Sequence, residues 1–324
     1  MNQPFHRAAK EAFAAYVRED RVPHAFLVAG PSGCGKLNLA REMARELLCL
    51  EGTAGGCGEC RSCRLFAGGA HPDFRDITLE LREKSEKLSD VIKVQQVRRL
   101  IEALYKTTTV SPRKVAVIHP AERMNASAAN ALLKTLEEPV GETMLILVAH
   151  DPSRLPATIR SRCQRLTIPL PDRGQAQEWL VAEQGVERDV AVEALDAAAG
   201  RPLEALELVR SGSIDQYHTA MALLDTIRAG HGSDGRATAE MAEIDPEQLW
   251  TWLSLRCASA VRKAVSGRVP GEAVRPLTGL QELANRNRLL AATPVRKDLL
   301  LRDWLIQWKN LPATLPLDRQ TQEA

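Results

Sequence analysis

The sequence predicts an α/β domain built on a parallel sheet, followed by helices alone. Three apolar runs, Phe26-Leu27-Val28-Ala29, Val115-Ala116-Val117-Ile118 and Met144-Leu145-Ile146-Leu147-Val148, read as strands buried on both faces. Helical patterns lie between them, at 36–49 with Leu39, Met43, Leu47 and Leu48 on one stripe, and at 94–105. Strands alternating with helices imply βα crossovers and a parallel sheet whose ligands sit at the carboxyl ends of its strands. After Pro169-Leu170-Pro171 the β-type runs stop, and the rest reads as helix with short Gly, Pro and Asp punctuation. The expected organisation is an α/β domain over 1–170, a small helical domain over 171–210 and a longer helical domain over 211–324.

In the last of these, Asp245-Pro246-Glu247 is an N-cap followed by proline at the first helical position, opening a helix with Leu249, Trp250, Leu253 and Cys257. The final helix, about 295–310, stacks Leu300, Trp304 and Trp308 at intervals of four. Four of the five tryptophans fall between 250 and 308. They read as an aromatic helical core, with an exposed seam for packing between subunits as the alternative. The tail, 319–324, is expected to fray.

Bulk properties narrow the function classes. At 324 residues the chain is longer than one ordinary domain. Its 44% hydrophobic and 26% charged residues are the proportions of a globular protein, and no apolar run reaches membrane-spanning length. The opening residues lack the layout of a signal peptide, so the expected location is the cytoplasm, with no membrane partner. A net charge of +2 excludes the strongly basic body of an autonomous nucleic-acid binder. An odd number of cysteines, seven, in a reducing compartment argues against a disulfide framework.

Chemistry concentrates at two places. Directly after the first strand comes Gly30-Pro31-Ser32-Gly33-Cys34-Gly35-Lys36-Leu37, a GxxxxGK loop in the strand–loop–helix setting it needs. Gly30, Gly33 and Gly35 let backbone N–H groups curl around phosphate oxygens, and Lys36 reaches the terminal phosphates. The next position should carry a magnesium-binding hydroxyl and is Leu37. The acidic pair expected after the next long strand is replaced by His119-Pro120, and Glu122, four residues past Ile118, reads as a solvated surface carboxylate. Both losses remove magnesium ligation, so hydrolysis should fall further than phosphate affinity. Cys34 reads as a small filler residue. The second place is Cys49, Cys57, Cys60 and Cys63. Four thiolates close a tetrahedral zinc shell; an iron–sulfur cluster and unligated thiols are the alternatives, and the ferredoxin spacing would want a cysteine where Ala67 stands.

Together with Pro23-His24-Ala25, the run Ala128-Ala129-Asn130-Ala131-Leu132-Leu133-Lys134-Thr135-Leu136-Glu137-Glu138-Pro139 and Ser161-Arg162-Cys163, these motifs resemble the bacterial clamp-loader subunits of DNA polymerase III, an AAA+ family that includes the gamma/tau motors. The motif resemblance covers about 20–170. Leu37 and His119-Pro120 side with its delta-prime branch, which commonly loses the magnesium ligands. Leu203 stands where active members place a nucleotide-sensing arginine, with Arg201 two residues upstream, and His150 stands where the motors have a sensing threonine. The resemblance implies a subunit of a hetero-pentameric ring with gamma/tau and delta subunits, acting on a sliding clamp and primed DNA within the polymerase holoenzyme. It implies structural zinc, doubtful ATP binding, no magnesium, and Arg162 as an arginine finger for a neighbour's ATP. Arg160 and Arg165 are nearby decoys, and an ion pair or helix-end contact is the bland role for Arg162. A gamma/tau-like ATPase motor is the rival reading.

Overall fold

The computed structural model describes residues 3–81, 89–231, 233–267, 269–291, 293–312 and 315. The tail 319–324 lies outside them. The chain divides into two compact units, Met1–Trp179 with Arg201–Leu203, and Leu180–Gly200 with Glu204–Ala324.

In the first unit the elements run α1 (Arg7–Arg18), β1 (Ala25–Ala29), α2 (Lys36–Leu48), α3 (Arg61–Ala67), β2 (Phe74–Ile77), α4 (Val94–Leu104), β3 (Lys114–Ile118), α5 (Ala126–Glu137), β4 (Thr143–Ala149), α6 (Ala157–Arg160), β5 (Gln164–Thr167) and α7 (Arg173–Glu178). The five strands form one sheet in the order β2-β3-β4-β1-β5, every pair parallel. Because successive side chains leave a strand on opposite faces, each apolar run feeds two cores. Ala25, Leu27 and Ala29 pack with Ala116, Ile118, Leu145 and Leu147 against Val97, Leu100 and Leu104 of α4 and Leu132 and Leu136 of α5. Phe26 and Val28 pack with Val115, Val117, Ile146 and Val148 against Phe13 of α1 and Leu39, Met43 and Leu47 of α2. This two-sided burial explains why β1, β3 and β4 lack polar alternation.

The three runs legible in the sequence are the central strands. β2 and β5 were not anticipated, for a physical reason: each is an edge of four residues, and in Gln164–Thr167 only Leu166 is buried. An edge strand needs little apolar content because one flank and part of a face meet water. Beyond β5 no further strand occurs among the described residues. None of their helices is long and apolar enough to cross a membrane.

The second unit contains α8 (Arg188–Ala197), the rest of α9 (Pro202–Arg210), α10 (Ser213–Arg228), α11 (Asp234–Met241), α12 (Pro246–Ser266), α13 (Gly271–Leu290) and α14 (Lys297–Lys309). Asp245 caps α12 by accepting the Gln248 N–H at 3.0 Å. Trp250, Trp252, Trp304 and Trp308 are all buried, so the tryptophans form a core rather than an exposed seam. Trp304 and Trp308 stack with ring centroids 5.4 Å apart, and their indole N–H groups donate to the carbonyls of Leu280 (3.0 Å) and Leu224 (3.2 Å). Both indole N–H groups thereby keep a hydrogen-bond partner in the core.

Candidate functional site

The carboxyl ends of β1, β3 and β4 converge on the phosphate loop. Gly30 leaves β1 with its N–H donating to the Ala149 carbonyl at 3.3 Å. Gly35 then adopts φ +74° and α2 begins at Lys36. The Lys36 side chain is buried and donates to the loop's own Pro31 carbonyl. Cys34 is buried in the core as a filler, and Leu37 packs against the same cluster with no oxygen to offer a cation.

His119 follows β3 and His150 follows β4, their rings edge to face at 5.5 Å. Burial first, then the neighbouring His150, lowers the His119 pKa to about 4, so it is neutral near pH 7. Glu122 is not the solvated carboxylate the sequence suggests: one oxygen accepts the His150 N–H at 2.9 Å and the Asp151 N–H at 3.4 Å. It has turned inward to cap the two N–H groups that follow β4. Arg201, two residues upstream of the position where the resemblance expects a nucleotide-sensing arginine, reaches the phosphate loop. Its guanidinium donates to Ser32 Oγ at 3.3 Å while the Leu203 N–H donates to the Gly33 carbonyl at 3.0 Å.

The four cysteines meet at the end of α2. The sulfurs of Cys49, Cys57, Cys60 and Cys63 all lie within 4.8 Å of one another. Tetrahedral ligands about 2.3 Å from zinc would stand roughly 3.8 Å apart, and Cys57 and Cys63 are at 3.9 Å. Backbone N–H groups of Cys57, Cys60 and Cys63 point at the sulfurs of Cys49 (3.4 Å), Cys57 (3.3 Å) and Cys60 (3.4 Å), which favours thiolates over thiols. Burial raises the Cys49 thiol, but the N–H groups of Cys57, Thr53 and Glu51 outweigh it and bring it down to about 6; burial pushes Cys63 up to about 12. The cluster can therefore hold a divalent ion in a closed soft-donor shell, with protons leaving as the ion enters. Gly56 shows how tight the turn is: at φ +80°, a Cβ there would stand 2.8 Å from Arg45 Cγ.

A buried polar network absent from the sequence reading anchors this module. Ser62 Oγ and Ser111 Oγ both donate to the Leu48 carbonyl, at 2.6 and 2.7 Å. His71 Nδ1 accepts the Asp73 N–H (3.1 Å), leaving Nε2 to donate to Ser62 at 2.9 Å. Asp73 accepts the N–H groups of Thr109, Val110 and Ser111 at 2.7–2.9 Å. Burial opposes its ionisation, but those three donors outweigh it and hold its pKa below the ordinary value. Asp73→Asn should lower stability at pH 7 by about 1–3 kcal/mol, since an amide cannot accept all three. With the folded pKa depressed, the carboxylate's contribution is present above about pH 3.9 and disappears as pH falls through the folded value. Denaturant titrations of both proteins should accordingly show a stability gap at pH 7 that narrows progressively as the pH is taken below about 3.9.

Arg162 sits in the turn between α6 and β5. It donates to the Thr158 carbonyl at 2.9 Å and pairs with Glu137, at the end of α5, at 2.7 Å. Its side chain remains about one-third exposed (35%) and that of Glu137 half exposed. An ion pair this open is worth only about 0–1 kcal/mol, so a competing anion can draw the guanidinium away. Arg160 and Arg165 are exposed on either side.

The family model described as DNA polymerase III, delta subunit, matches residues 5–172. The DNA polymerase III subunit delta' of Pseudomonas aeruginosa is 45% identical over 311 residues, covering 89% of this chain and 92% of that protein. The chain belongs to the delta-prime family of DNA polymerase III subunits. Its delta-prime relative from Escherichia coli is 30% identical, with 94% of each chain covered. The fold is shared with a gamma subunit-related protein of Thermotoga maritima, at a TM-score of 0.51 and 15% identity over 92% of this chain and 99% of that one.

The delta-prime sequence leaves some of this geometry silent. Arg201, Glu122 and the Ser62–His71–Asp73–Ser111 network carry no motif and meet their partners only through the fold. Arg201 and Glu122 stand close to the positions where the resemblance expects a sensor and an acidic residue.

Proposed function

We propose that this chain serves in the clamp loader as a non-hydrolysing delta-prime subunit that extends Arg162 to the ATP site of a neighbouring gamma/tau motor. Together with delta, such subunits would form a five-membered ring that places a sliding clamp on primed DNA. Residues 171–210 would act as a lid and 211–324 as a collar, and the four cysteines would hold structural zinc. Leu37 carries the reading: the phosphate loop keeps its backbone but offers an isobutyl group where magnesium needs an oxygen. A neutral His119 at the end of β3 supports it, because a magnesium ion prefers oxygen ligands there too.

Arg201 favours the rival reading, an active gamma/tau-like motor, since a guanidinium on the phosphate loop is where a nucleotide sensor would act. Magnesium-dependent phosphate release by the isolated chain separates the two. The wild type should release phosphate no faster than its Lys36→Ala variant; turnover well above that control would establish a motor instead.

A further inference from the structure

We infer that the chain's own N-terminal segment fills the phosphate loop, with the Gln3 side chain as the plug, so that nucleotide phosphates are shut out. The inference rests on reading the loop as a former nucleotide pocket. Glycine stands where the backbone must come close to a ligand, because a Cβ would fill the gap. At Gly35 that gap is taken. A Cβ built there would lie 2.0 Å from Gln3 Oε1, 2.7 Å from Cδ and 2.9 Å from Nε2. The amide therefore rests against the Gly35 Cα, at the N-terminus of α2 where phosphate oxygens would gather.

Three contacts hold the segment in place. Gln3 is 1% exposed. Its carbonyl accepts the His6 N–H at 3.0 Å, closing the single turn Pro4–His6. The buried His6 ring donates from Nε2 to the Cys34 carbonyl at 2.6 Å, fastening the turn to the loop one residue before Gly35. Phe5 packs edge to face on Trp179 at 5.8 Å. By contrast, neither Oε1 nor Nε2 of Gln3 makes a hydrogen bond to a described protein atom. The side chain thus acts by bulk and is held by its neighbours, which makes the amide itself replaceable by an apolar group of similar size. Lys36 fits the same picture, since it donates to the loop's own Pro31 carbonyl.

The replacement of magnesium ligands by Leu37 and His119 concerns turnover; the plug concerns entry. The two are separable by experiment. Equilibrium binding of a fluorescent ATP analogue to the full chain, with and without magnesium, should be compared for wild type, Gln3→Ala, Gln3→Leu and the double variant Gln3→Ala/Lys36→Ala. Opening the plug should tighten binding by at least tenfold in Gln3→Ala, equivalent to about 1.4 kcal/mol. Gln3→Leu should stay as closed as wild type, and the double variant should lose the gain, showing that the analogue sits on the loop. A gain of binding cannot come from misfolding. Equal affinity of wild type and Gln3→Ala, whether both bind or neither does, overturns the inference, as does a gain that survives Lys36→Ala. Phosphate release should remain absent in Gln3→Ala, so hydrolysis by any of these proteins would count against the non-hydrolysing reading and leave the plug to be decided by the affinities.

Discussion

Replacing Arg162 with alanine is expected to lower ATP turnover by the reconstituted clamp loader, in the presence of clamp and primed DNA, by orders of magnitude at the site it would serve. A guanidinium placed on a transferring phosphoryl group offsets charge that grows in the transition state, an effect of roughly 10³–10⁵ in rate for arginine fingers. The resting geometry suits that task. Thr158 and Glu137 fix two edges of the guanidinium, yet the side chain is open enough, and the Glu137 pair weak enough, for a phosphate to take over. Arg162→Lys should rescue little, because a point charge lacks the planar fork. Arg160→Ala and Arg165→Ala, exposed on the same stretch, serve as controls and should leave turnover unchanged. Assembly must be intact in every case, which size-exclusion chromatography checks.

Loss of a metal ion from the four-cysteine cluster would be the second large effect. Purified, freshly reduced chain should contain close to one equivalent of zinc. Stripping it, or introducing Cys57→Ser, leaves the sulfurs of Cys49, Cys60 and Cys63 crowded without a cation between them. The segment from Cys49 to Cys63 contains only the start of α3, and apart from the sulfurs its turns are tied to α2 through Gly55, which bonds Arg45 and Glu46. A structural zinc site contributes folding energy directly; a loss of about 3 kcal/mol corresponds to a Tm drop of roughly 6–12 °C for a domain of this size. The damage should extend to the sheet edge, because Ser62 shares its network with His71 and Ser111. Thermal melts before and after chelation check this. An unchanged melt together with no bound metal would remove the zinc assignment.

How much was legible in advance follows from what each signal depends on. β1, β3 and β4 are buried on both faces, so their composition alone announces them. The phosphate loop and the cysteine cluster are local in sequence, and each carries its chemistry in its spacing. β2 and β5 were silent because edge strands can be polar. Glu122 was misread because its partners, the N–H groups of His150 and Asp151, lie 28 and 29 residues away. Arg201 reaches Ser32 across 169 residues and Gln3 reaches Gly35 across the whole of α1 and β1, contacts that only the folded backbone creates.

Two substitutions in the same reconstituted complex weigh the role of this chain directly. Lys36→Ala disables its own phosphate loop, and Arg162→Ala removes the side chain it would lend. Clamp-dependent ATP turnover should be retained with the first and collapse with the second. The opposite pattern, collapse with Lys36→Ala and full turnover with Arg162→Ala, would mean that this subunit burns nucleotide itself and contradicts its assignment as a donor to its neighbour.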